Sequence, residues 1–189
     1  MRHTILHALL LLLCASAPAS AQDAASDDPF AARGWHFEAH TLAALEAWNY
    51  NESHEELYGL TEGITYGLRD GVVLTASQRV CYVSQRANDT WVLALTVGVR
   101  PRVYKKGRLS IYVDGAVGIS DAAIAAPPRG TRFNYLALGG GGAVVRLRPR
   151  VSGIAGLQWI HLSNAGLKSP SRNPDIEAIG LTAGLLLRF

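Results

Sequence analysis

The sequence predicts an all-β protein, an eight-stranded antiparallel transmembrane β-barrel, and three observations carry that expectation. Beyond the first thirty or so residues no segment has a helical apolar stripe; alternating runs of roughly ten to fourteen residues recur instead, a length that suits a tilted membrane strand. Within a run one face is apolar and the other small or polar, as in a barrel with lipid outside and polar side chains inside. The links between runs alternate between tight turns and long loops, like the periplasmic and outer ends of an outer-membrane barrel.

The first residues stand apart from this pattern. Arg2 gives a positive start, Ile5 to Cys14 an apolar stretch, and Ala19-Ser20-Ala21 a small-residue cleavage site, so residues 1–21 read as a signal peptide. Leu11-Leu12-Leu13-Cys14 faintly resembles a lipoprotein signal, but Leu13 stands where a small residue is needed, which favours ordinary cleavage. The mature chain then keeps one cysteine, Cys81, with no partner for an internal disulfide, so packing and lipid must supply its stability. The formal charge of +3 falls by one with the loss of Arg2; that balance, with no basic stripe, argues against nucleic acid as a partner. Residues 22–33 are small, acidic and proline-containing and read as a flexible lead-in to a barrel over residues 34–189.

The eight strands are expected near 35–48, 56–68, 71–83, 90–102, 108–119, 133–147, 150–163 and 177–189. In the second, Tyr58, Leu60, Ile64, Tyr66 and Leu68 alternate with Gly59, Thr61, Gly63, Thr65 and Gly67. In the fourth, Trp91, Leu93, Leu95, Val97 and Val99 alternate with Val92, Ala94, Thr96, Gly98 and Arg100, and the fifth sets Leu109, Ile111, Val113 and Val117 against Ser110, Tyr112, Asp114 and Gly118. Arg69-Asp70-Gly71, Lys105-Lys106-Gly107 and Arg148-Pro149 supply tight turns. Residues 49–55, 84–89, 121–132 and 164–176 form the longer links. An even strand number puts both chain ends on the periplasmic side, and the close, Leu185-Leu186-Leu187-Arg188-Phe189, is similar to the C-terminal assembly signal of outer-membrane proteins. Gly139–Gly142 has no Lys-Ser/Thr after it and lies within a strand, so close packing or curvature accounts for it better than phosphate binding.

The chemistry concentrates between Gln158 and Glu177. Side chains two apart on a strand share a face, so His161 and Ser163 point the same way at the outer end of the seventh strand. Glu177 opens the eighth strand on its apolar face, also at the outer end. A hydroxyl, an imidazole and a carboxylate on one surface are the parts of an acyl-transfer triad. Polar groups facing lipid are costly at mid-bilayer and cheaper at its rim, which marks them as functional candidates.

His161-Leu162-Ser163-Asn164-Ala165-Gly166-Leu167-Lys168-Ser169-Pro170, followed by Asn173-Pro174-Asp175-Ile176-Glu177, resembles the outer-membrane lipid A 3-O-deacylases of PagL type. The likeness is dense over about twenty residues and architectural elsewhere. It implies a serine esterase hydrolysing the 3-O-linked acyl chain of lipid A or lipopolysaccharide in the outer leaflet of the Gram-negative outer membrane. The catalytic residues would be His161, Ser163 and Glu177, with Asn164 linked to the oxyanion hole and no cofactor or metal. The chain must turn at once after Ser163 to aim the Asn164 amide or the Gly166 N–H at an oxyanion. Lys168 and Arg172 lie in the same loop as candidate contacts for lipid A phosphates. The loop before Glu177 is slightly longer than in the family and replaces a glycine-containing turn with Asn-Pro-Asp, which bears on where Glu177 falls.

Three rivals stay open: an acyltransferase using the same acyl-enzyme, a non-catalytic structural or adhesive barrel, and a soluble lipid-binding barrel. Both monomer and homodimer are compatible with the sequence. The remaining polar residues have structural readings. His36 and His40 share a face with Glu38 and Glu46 and suit a lumenal network, as does Asp114; His54-Glu55-Glu56-Leu57 lacks the second histidine of a zinc protease. Cys81 is assigned no reactivity. Trp35, Trp48, Trp91 and Trp159 suit interfacial girdles, with Trp159 also placed to pack beside an acyl chain.

Overall fold

A computed structural model describes residues 27–48, 54–167, 169 and 173–189; the expected signal peptide lies outside them. The eight strands are β1 (Trp35–Glu46), β2 (Glu56–Arg69), β3 (Val72–Ser84), β4 (Thr90–Lys106), β5 (Leu109–Ala122), β6 (Phe133–Arg148), β7 (Val151–Ser163) and β8 (Ile176–Arg188). Each pairs with the next, and β8 pairs antiparallel with β1 to close the barrel, which leaves no sheet edge. The tight hairpins each carry a register shift, at Gly67/Arg69, Arg102/Tyr104 and Arg146/Arg148. There the extra residue sharpens the local twist at the periplasmic rim. β4 and β5 run further than expected, to Lys106 and Ala122, because pairing continues past the apolar band into charged positions that lie in water.

The outward face is the apolar one, with Tyr58, Leu60, Ile64, Leu68, Leu95, Val97, Val113 and Val117 all exposed. One departure lies mid-strand. Glu62 and Gln78 are direct cross-strand neighbours on the outward parity of β2 and β3, and the Gln78 amide donates to Glu62 Oε2 at 3.4 Å.

An eight-stranded barrel is just wide enough to be filled by its own side chains. The lumen is layered rather than uniformly polar. A middle belt holds Glu38, which accepts from both Arg100 guanidinium ends at 2.5 and 3.1 Å, with Asp114 at 3.3 Å from Arg100 Nε. Arg79 donates to Thr61 at 2.9 Å and Gln158 at 2.6 Å in the same belt. Above it lies an apolar cluster that includes Leu42, Leu57, Val83, Leu136, Ile160, Leu162 and Ile176. Below it lie Val73, Tyr112, Val144, Ile154, Leu186 and Phe30. His36, His40 and Asp114 fall in the lumen, as their parity requires, and Cys81 is buried in the upper cluster.

Phe30 belongs to the stretch read from sequence as a flexible lead-in. In its described part, residues 27–33, that stretch is instead packed into the periplasmic mouth. Phe30 is 1% exposed beneath the Arg102 guanidinium, 5.2 Å from ring centroid to Arg102 Cζ. Asp28 accepts from Arg102 at 2.7 Å and Lys105 at 2.6 Å, and Asp27 from Arg188 at 3.0 Å. Arg33 N–H donates to the Gly67 carbonyl at 2.7 Å, an approach so close that a Cβ on Gly67 would meet Ala31 O at 1.9 Å. Composition alone concealed this because the acidic residues that look disordering are matched by cations some seventy or more residues away.

Candidate active site

The outer ends of β7 and β8 are positioned from behind. Ile160, Leu162, Ile176 and Ala178 point into the upper apolar cluster, each nearly or fully buried. Strand alternation then obliges His161, Ser163 and Glu177 to stand on the opposite, lipid-facing side. The ladder pairs His161 directly with Glu177, in a register unbroken from Leu162↔Ile176 to Val151↔Leu187. The Ala47 N–H donates to the Glu177 carbonyl at 2.7 Å and ties the start of β8 to the end of β1.

The three side chains form a continuous hydrogen-bonded line. Glu177 Oε1 lies 2.6 Å from His161 Nδ1, and His161 Nε2 lies 2.9 Å from Ser163 Oγ. With the proton on Nδ1, where the carboxylate holds it, the Nε2 lone pair is left to accept the serine proton. The Ser163 residue is only 7% exposed. Toward β6 the line is flanked by small residues, Ala137 opposite His161 and Gly139 opposite Trp159, with Tyr135 opposite Ser163.

β7 ends at Ser163 and the chain turns at once, as the sequence reading required. Ala165 and Gly166 both have positive φ, 52° and 76°, and Leu167 N–H closes the turn on the Asn164 carbonyl at 3.1 Å. Gly166 takes this left-handed geometry without cost, having no Cβ. Asn164, 1% exposed, donates its backbone N–H to Asn173 Oδ1 at 3.0 Å, and its own Oδ1 accepts from the Gly166 N–H at 2.9 Å. The backbone N–H groups of Asn164 and Gly166 are therefore engaged within the loop, and the Asn164 carboxamide has its acceptor end on Gly166. Lys168 and Arg172 lie outside the described residues.

Two features were missed in the sequence. Trp159 Nε1–H donates to the second oxygen of Glu177, Oε2, at 2.6 Å, and its indole stacks on the His161 ring at 20° with centroids 6.0 Å apart. The signal was present: Trp159 shares the face of His161 and is the diagonal neighbour of Glu177 across the ladder. Asp175 is the other, its carboxylate 3.9 Å from His161 Nδ1. His161, Asp175 and Glu177 are, among the described residues, a group whose ligand atoms lie within 4.8 Å of one another. Both Glu177 oxygens already accept hydrogen bonds, so a cation there would have to displace His161 and Trp159 from the acid.

A hydroxyl, an imidazole and a carboxylate thus stand in one hydrogen-bonded line at the outer ends of β7 and β8, the geometry that an acyl-transfer triad would need. A model of the family described as lipid A 3-O-deacylase (PagL) matches residues 22–185. Among solved structures, that of the outer membrane enzyme PagL is similar at 19% identity and a TM-score of 0.56, over 77% of this chain and 97% of that one. Neisserial surface protein A is similar at 10% identity and 0.61, over 82% and 97%, and OprG from Pseudomonas aeruginosa at 13% and 0.51, over 86% and 99%. At these identities the structural likenesses speak for the fold. No curated protein sequence matches the chain.

Proposed function

Since the chain belongs to the lipid A 3-O-deacylase (PagL) family of Gram-negative outer-membrane barrels, we propose that it cleaves the 3-O-acyl ester of lipid A as a serine esterase, with Ser163 as nucleophile. His161 Nε2 takes the Ser163 proton as Oγ attacks the ester carbonyl; Glu177 holds Nδ1–H and stabilises the imidazolium that forms. The tetrahedral intermediate collapses by expelling the sugar 3-oxygen, which takes the proton back from His161. Water, deprotonated by the same imidazole, then attacks the acyl-enzyme and releases a free 3-hydroxy fatty acid with regeneration of Ser163.

The oxyanion is assigned to the turn after Ser163. Its donors would be the side-chain amide of Asn164 and, once released from Asn164 Oδ1, the Gly166 N–H. Lys168 and Arg172 are assigned to the substrate's phosphates on their place in the same loop. The observation that supports the reading most is the line from Glu177 through His161 to Ser163, at 2.6 and 2.9 Å, on the lipid-facing side. A lipid substrate can reach that side laterally in its leaflet, without extraction.

Mass spectrometry of lipid A from cells expressing wild type or Ser163→Ala tests it. Wild type should remove one 3-hydroxyacyl group and the variant none. An unchanged wild-type spectrum, with folded protein in the membrane, overturns the proposal; a newly acylated lipid in place of free fatty acid turns it into acyl transfer.

A further inference from the structure

We propose that Trp159 is a positioning residue for the acid of the triad, acting as its second hydrogen-bond donor; this inference rests on the esterase reading above. A carboxylate has two oxygens to satisfy, and in a conventional aqueous cleft water or backbone N–H groups serve the one that does not face the histidine. Glu177 stands instead on the outer wall of a membrane barrel, where water is scarce and an unpaired anionic oxygen is costly. Oε1 is taken by His161 at 2.6 Å. For Oε2 the donor is the indole N–H of Trp159, also at 2.6 Å, the short distance of a charge-assisted bond.

The register makes this pairing a built feature. His161 and Glu177 are directly opposite on β7 and β8, and Trp159 is one outward position nearer the membrane centre on the same strand as His161. The indole lies across the ladder. Its Nε1 edge reaches β8, and its other edge passes over β6, where a Cβ on Gly139 would stand 3.5 Å from Trp159 Cε3. Its face meanwhile stacks with the imidazole, 6.0 Å between centroids. One apolar side chain thus suits the lipid, holds the second oxygen of the carboxylate, and presents a π-face to the ring that becomes positively charged during acyl transfer. A girdle tryptophan does none of the last two.

The consequence is a role in turnover rather than in substrate affinity. Trp159→Phe keeps an aromatic ring against Gly139 and His161 but removes the N–H. Assayed as the full chain in detergent with purified lipopolysaccharide, reading release of 3-hydroxy fatty acid, it should lose about tenfold to hundredfold in kcat, the effect of one hydrogen bond to a charged group, with KM unchanged. Heat-modifiable migration identical to wild type shows that the barrel is intact. A spectroscopic readout accompanies it: the indole N–H resonance that vanishes in Trp159→Phe should move upfield in Glu177→Gln, where the anionic acceptor is gone. A wild-type kcat in Trp159→Phe, a rise in KM alone, or an indole resonance indifferent to Glu177→Gln would each overturn the assignment. Hydrolysis that survives in Ser163→Ala would overturn the esterase reading, and that result is separate from the three that bear on Trp159.

Discussion

His161 and Glu177 are direct cross-strand partners, so the distance between base and acid is set by the β7–β8 register and not by the loop that joins the strands. In an antiparallel ladder opposite residues have Cβ atoms about 4.5–5.5 Å apart, within side-chain reach of a hydrogen bond. The length of the link before Glu177 therefore does not set how far its carboxylate lies from the imidazole. Slipping the register by one residue would turn Glu177 into the lumen. Removing the charge while keeping the shape is the sharpest check. In Glu177→Gln the amide must present its NH₂ to either His161 or Trp159, and the histidine loses its tautomer; kcat should fall by about 10⁴, with unaltered heat-modifiable migration. Activity within tenfold of wild type would mean that Glu177 does not orient the base.

Asn164 has two separable duties under the proposed mechanism, holding the turn through Oδ1 and donating to the oxyanion through its amide. Asn164→Ala removes both. Asn164→Asp keeps an acceptor for the Gly166 N–H, 2.9 Å away in the native turn, and removes the donor. Both variants should lose roughly 10²–10³ in kcat. If only the alanine variant loses activity, the residue supports the turn and the oxyanion is served elsewhere.

The barrel and the line of three side chains were legible in the sequence because both follow from alternation. Two-residue parity put His161 and Ser163 on the face of Leu157 and Trp159, and the same parity put Glu177 with Ile179 and Leu181; pairing of β7 with β8 did the rest. What alternation cannot show is what crosses between strands diagonally or from afar. The Trp159–Glu177 bond needs the exact register, and the salt links from Asp28 to Arg102 and Lys105 join residues that only the closed barrel brings together. Loop chemistry was the least visible: the sequence offered Gly166 as an oxyanion donor, while its N–H is spent on Asn164.

Asp28 makes the periplasmic plug sensitive to acid. Burial alone would raise its carboxyl, but hydrogen bonds from Lys105, Arg102 and the Phe30 N–H hold it down at about 2, against 3.8 for the free group. The folded state thus binds this proton more weakly than the unfolded chain. The stabilisation is complete above about pH 4 and disappears as pH falls through 2. After allowance for solvent screening it should be on the order of 1 kcal/mol. Denaturant unfolding in detergent should show Asp28→Asn less stable than wild type at pH 7, with most of the deficit gone at pH 2. A deficit that persists undiminished at the lower pH would assign the effect to packing around Phe30 instead.

Glu62 and Gln78 set the opposite problem, polar groups at mid-strand on a surface that faces hydrocarbon. Their hydrogen bond is long, 3.4 Å, and it compensates only part of the cost of keeping two polar side chains in lipid. The sign of a substitution then depends on whether it leaves a partner behind. Gln78→Leu strands the carboxyl and should destabilise the barrel by about 1–2 kcal/mol, since a buried polar group without a donor bears its full desolvation cost. The double change Glu62→Leu with Gln78→Leu removes both groups and should make the barrel more stable than wild type by roughly 1 kcal/mol, as apolar replacements on the lipid face generally do. Urea-driven unfolding from phospholipid vesicles reads both. A double variant that is less stable than wild type would show that the pair meets something more favourable than acyl chains in the membrane.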